Sequence, residues 1–142
     1  MKILVATDGS KPALQAVKYA SKLVRQLAST THSVTLISVH DDAGLRHAQA
    51  FVGREAVTDY LRELSEKELK PAQKVLDAAG IKHDMAVCTG HIAQEIVLFA
   101  KAGKFDLIVL GHKGRSAIAD LLIGSVAQRV LATAHTPVLL TR

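Results

Sequence analysis

Tryptophan is absent from this chain, and only three phenylalanines and two tyrosines occur. A core must therefore be built from Val, Ile, Leu and Ala, which favours a sheet covered by helices. Cys88 is the single cysteine, so an internal disulfide is excluded. Its expected state is a buried, inert thiol in a reducing compartment. No apolar run approaches the roughly 20 residues that span a bilayer, and Met1-Lys2 leads into a strand pattern without a signal-peptide apolar region. The expectation is a soluble, cytoplasmic protein with no membrane contact. A formal net charge of +5 favours acidic ligands. Yet the chain has no lysine or arginine block and no interleaved aromatics, so the footprint of a nucleic-acid binder is missing. The six histidines other than His112 show no metal-ligand spacing. Internal repeats and low-complexity segments are also absent.

What is present fills one domain: 142 residues can bury roughly two-thirds of their unfolded surface without a disulfide or metal staple. Lys2 to Thr7 is a continuous apolar run, as in a strand buried on both faces, and Asp8-Gly9-Ser10 turns it into a helix. Ser10 is the expected N-cap, with Pro12 in the first turn. Leu14, Val17, Ser21 and Val24 share one helical stripe, widened by alanines, and this helix is expected to end at Ser29-Thr30-Thr31. Ser33 to Val39 reads as the second strand, closed by His40-Asp41-Asp42. Residues 43 to 54 have weak periodicity and are not assigned a helix. Val57, Leu61, Leu64, Val75, Leu76 and Ala79 predict the second helix, with a kink or break near Leu69-Lys70 because Pro71 removes a backbone hydrogen bond. Gly80 stops it.

Ile81 to Thr89 is a weaker third strand, suited to a position nearer a sheet edge because His83 and Asp84 interrupt it. Ile92, Ile96, Val97 and Ala100 form the face of a third helix that Gly103 closes. Five strands and four helices in alternation predict an open, doubly wound parallel sheet, with ligands at the carboxyl ends of its strands.

The most informative stretch runs from Leu107 to Ala127. An apolar strand, Leu107 to Leu110, enters a loop with Gly111 and Gly114, and Gly124-Ser125 then opens a helix through Val126, Val130 and Leu131. Glycine permits φ > 0 and close approach of a ligand to backbone N–H groups. A helix N-terminus adds free N–H groups and about half a positive charge, so both features suit phosphate. Glycines at strand-to-helix turns also serve geometry alone, which leaves a purely structural loop open.

The spacing Gly, two residues, Gly, nine residues, Gly-Ser resembles the nucleotide-binding signature of the universal stress protein family, ATP-binding subgroup. The resemblance extends over Thr7-Asp8-Gly9-Ser10, the strand ending at Val39, Asp106 to Gly111, Gly124-Ser125-Val126 and Thr136 to Leu140. It implies a Rossmann-like five-stranded sheet of order 3-2-1-4-5 with helices on both faces. It also implies adenine near Val39, ribose and phosphate near Asp8, Leu110 and Gly111, and phosphates at Gly114, Gly124, Ser125 and Val126. Ala6 and Arg115 complete the expected nucleotide contacts. Two departures stand out: His112-Lys113 replaces the Ser-His common in binders, and His91-Ile92 lacks a proline common before the third helix. The implied function is an ATP-binding stress-response regulatory module with an unidentified regulatory protein partner.

Asp8 has two readings, a ligand for Mg²⁺ or the ribose hydroxyls, or a helix cap. Arg115, and to a lesser degree Lys113, could screen phosphate charge. His112 has no identifiable catalytic partner, and no Walker lysine motif occurs, so catalysis is expected to be absent or limited to slow ATP hydrolysis. Rival readings are a slow hydrolase, a phosphoryl or adenylyl transferase, and a protein-binding dimer without nucleotide. Val138, Leu139 and Leu140 form an apolar last strand with little edge protection, which predicts a homodimer through it.

Overall fold

The computed structural model describes residues 1–28, 31–114 and 122–142. The elements in order are β1 (Lys2–Ala6), α1 (Lys11–Gln26), β2 (Ser33–Asp41), α2 (Asp42–Val52), α3 (Arg54–Ala78), β3 (His83–Gly90), α4 (Ile92–Ala102), β4 (Leu107–Gly111), α5 (Ser125–Thr133) and β5 (Val138–Thr141). All four strand pairings are parallel. The order is β3-β2-β1-β4-β5, as the resemblance implied, with β3 at an edge.

The continuous apolar run of β1 is explained by its central place. Ile3, Leu4 and Val5 are wholly buried, and their alternation divides the core in two. Ile3 and Val5 join Ala16, Val17, Leu69 and Leu76 from α1 and α3 on one face. Leu4 joins Ile37, Ile96, Ile108 and Val130 on the other, under α4 and α5.

Four local expectations are corrected. Residues 42–52 form α2, a helix that periodicity missed because none of its residues is buried. It is held locally instead: the Asp41 side chain accepts the Ala43 N–H at 2.9 Å, and Arg46 pairs with Asp42 one turn earlier at 2.9 Å. The helix after Gly53 shows no break at Pro71, because α3 runs unbroken from Arg54 to Ala78. Pro71 and Lys67, whose carbonyl loses its donor, are both exposed, so water can satisfy that oxygen. The first helix ends at Gln26, before the expected Ser29-Thr30-Thr31; residues 29 and 30 lie outside the described residues. Cys88 is only partly buried, and burial, then the nearby Glu95 carboxylate, push its thiol pKa up.

Candidate functional site

The carboxyl ends of β1, β2 and β4 open into a cavity of about 420 Å³. Ala6, Asp8, Val39, Leu110, Gly111 and Gly114 line it. Gly124, Ser125 and Val126 line it too, so the structure gathers these nine candidates around one space. Arg115 lies outside the described residues.

Each glycine of the loop is explained by what surrounds it. The conformational argument for Gly111 and Gly114 does not hold, since neither takes a positive φ; the residue that does so beside the cavity is Gly9, at φ 79°, in the turn after β1. At Gly111 close packing is the reason instead. A Cβ at Gly111 would stand 2.7 Å from the backbone carbonyl of Pro12, where the first turn of α1 crosses the end of β4. At Gly114 it would meet Asp8 Oδ2 at 2.8 Å, and at Gly124 the Lys113 Cα at 3.3 Å. The Gly124 N–H donates to His112 O at 2.6 Å and draws the start of α5 onto the loop.

Helix α5 has no side-chain cap. Gln128 N–H returns to Gly124 O, which leaves the N–H groups of the first turn without intrahelical acceptors. Ser125, Val126 and Ala127 in that turn line the cavity, so donors and the positive end of the helix dipole face it.

Asp8 is not the cap of α1. Ser10 holds that place, accepting the Ala13 N–H at 3.3 Å, while Asp8 Oδ1 accepts the Ser10 N–H at 2.9 Å. Among the described residues no cluster of three or more His, Cys, Asp or Glu could hold a metal. A cation beside Asp8 would thus take most of its shell from ligand oxygens, the usual habit of Mg²⁺. His112 is pinned to the last strand: its N–H donates to Thr141 O at 2.8 Å, and its ring Nδ1 lies 3.0 Å from the same oxygen. A carbonyl only accepts, so Nδ1 carries the proton.

At the opposite end of the cavity, where Val39 was expected to meet a base, the polar groups were not anticipated. His40 and Glu68 line it, and both are buried. Ser38 Oγ donates to Glu68 Oε2 at 2.9 Å, and His40 Nε2 lies 3.0 Å from Ser65 Oγ and 3.9 Å from Glu68 Oε2. This is no catalytic triad, because one ring nitrogen faces both the hydroxyl and the carboxylate, whereas a relay needs them on opposite nitrogens. Ile92 and Ile96 from α4, with Ile37 and Val39 from β2, add apolar wall. A polar residue within the apolar spacing of α3 was the only available sign of Glu68.

An open parallel sheet with a glycine loop and a cavity at its switch point defines a Rossmann-like type of α/β protein. The chain belongs to the universal stress protein family, whose family model matches residues 1–142. It is 33% identical over 141 residues to universal stress protein MJ0531 of Methanocaldococcus jannaschii, covering 99% of this chain and 81% of that one. It is similar in structure to hypothetical protein MJ0577 of the same organism, with TM-score 0.84 and 27% identity over 99% of this chain and 94% of the other. A universal stress protein in complex with cAMP superposes with TM-score 0.73 and 27% identity, over 100% and 97% of the two chains. No helix among the described residues is long and apolar enough to cross a membrane.

Proposed function

We propose that this protein is an ATP-binding regulatory module of the stress response, working in the cytoplasm. The observation that carries the reading is the convergence of the uncapped α5 N-terminus, the glycine loop and Asp8 on one cavity. Backbone N–H groups at Gly114, Ser125 and Val126 receive the phosphates, with Arg115 and Lys113 adding positive charge. Leu110, Gly111 and Ala6 border the ribose, and the base lies by Val39. The cAMP complex of a relative supports an adenine nucleotide as ligand. Asp8 would hold Mg²⁺ together with phosphate oxygens, and the ion would supply neutralisation of the phosphate charge.

The test is mass spectrometry of small molecules released from purified protein, followed by calorimetric titration with ATP and Mg²⁺. Copurified or titratable ATP is expected, and a folded protein that takes up no nucleotide overturns the reading. One observation favours a rival: Gly111 is needed for packing against Pro12 whether or not a ligand binds, as a purely structural loop would require. The same titration separates the two.

A homodimer accompanies the proposal. β5 ends the sheet and bonds β4 on one side, and Val138, Leu139 and Leu140 are only partly buried. Antiparallel pairing of two copies satisfies the outer backbone groups and closes as a two-fold contact. Sedimentation velocity at tens of micromolar should show a dimer that deletion of residues 139–142 dissociates.

A further inference from the structure

Resting on the nucleotide reading, we infer that Glu68 selects the base, accepting a hydrogen bond from the exocyclic 6-amino group of an adenine ring. The anion-accepting end of the cavity belongs to β4 and α5, and the sheet order places β2 two strands away across β1. Two strand spacings are roughly 10 Å, so a ligand whose phosphates meet the glycine loop extends toward β2. There the cavity changes character. Val39, Ile92 and Ile96 offer apolar surface to a ring, and His40, Asp41 and Glu68 are the polar groups on the β2 and α3 side.

Glu68 is 7% exposed, whereas its acidic neighbours on α3, Glu63 and Glu66, are exposed. A buried carboxylate needs donors. Glu68 has one, the Ser38 hydroxyl on Oε2; the His40 ring stands 3.9 Å from that same oxygen. Among the described residues no donor hydrogen-bonds Oε1, and no lysine or arginine pairs with the side chain. An apolar residue would pack there without the desolvation penalty. The acceptor left over on a cavity-lining carboxylate matches an amine on the ligand. Asp41, the other acid on this side, is less suited because it is exposed, so water satisfies the oxygen that the Ala43 N–H leaves over.

The rival account makes Glu68 a purely structural tie from α3 to β2. A tie would alter the affinity of all nucleotides alike, while a base reader alters their ratio. The experiment is calorimetric titration of the wild-type chain with ATP and with purine riboside triphosphate, which keeps the ring and lacks only the 6-amino group. Wild type should bind ATP at least roughly 10-fold more tightly, the scale of one hydrogen bond to a charged group. In Glu68→Gln the Ser38 proton claims the amide oxygen and the amide NH₂ faces the purine amine, so the ratio should fall toward one. Equal wild-type affinities overturn the inference without any variant, as does a folded Glu68→Gln protein that keeps the wild-type ratio. If wild type binds neither triphosphate, the nucleotide reading itself falls; if it binds both equally, base selection alone falls.

Discussion

At the β4 end of the cavity the lining is a glycine loop and a helix start, crowded so closely that glycine is required at Gly111 against the Pro12 backbone. At the β2 end it includes the side chains of His40 and Glu68, held from behind by Ser65 and Ser38 through hydrogen bonds between residues 25 and 30 positions apart. A site built from backbone tolerates changes of chemistry at most positions but fails when volume is added at its glycines. A site built from side chains tolerates no exchange of donor for acceptor, because a buried polar atom left unpaired is destabilising by about 1–3 kcal/mol.

The largest effect should come from adding volume to the backbone end. Gly114→Val combined with Gly124→Val should lower ATP affinity by on the order of 100-fold, about 2.7 kcal/mol, in a protein that circular dichroism still finds folded. Unchanged affinity in the folded variant would remove the backbone cradle and leave the two ends alike. Gly111→Ala should act on the fold instead. Its Cβ meets the backbone of Pro12 at 2.7 Å and of Ala13 at 3.0 Å, neither of which moves without α1. A loss of about 1–3 kcal/mol is expected, seen as a melting temperature lower by several degrees.

At the side-chain end Ser38→Ala adds no volume and removes the one donor to Glu68 among the described residues. It should lower stability by about 1–2 kcal/mol in urea unfolding. No change in midpoint would mean that Glu68 finds another donor and that this end is less exacting than the comparison holds. The smallest effect is expected at Asp8→Asn. Asparagine keeps an acceptor for the Ser10 N–H, and Ser10 remains the cap, so the melting temperature should hardly move. Affinity for ATP with Mg²⁺ should fall about 10-fold, with metal-free ATP affected less. A lowered melting temperature with unchanged affinity would make Asp8 a structural residue only.

The glycine stretch was legible because its spacing follows from local needs along one segment, a strand, a turn and a helix start. For Gly111, however, the reason for glycine lay in a segment about a hundred residues away, and conformational freedom stood in for a steric contact that no local pattern shows. Helix α2 escaped for a different reason: with no buried face it has no apolar period, and its hold is the Asp41 cap and the Asp42 to Arg46 pair. Pro71 misled because a proline in an exposed turn loses its hydrogen bond to water rather than to a void.

Apolar runs and helical stripes in the sequence alone determined five strands, the helices that pack on them, the Ser10 cap and the helix start at Gly124-Ser125. These depend on backbone dihedrals and on which face is buried, and both leave a period in the chain. Tertiary structure alone decided that Pro12 closes on Gly111 and that Glu68 of α3 meets Ser38 of β2. It also decided that Ile92 and Ile96 of α4 wall the same cavity as the glycine loop. Periodicity states that a residue is turned inward; its partner follows from the order of strands and the face each helix covers. That order is a property of the whole packed core rather than of any one segment.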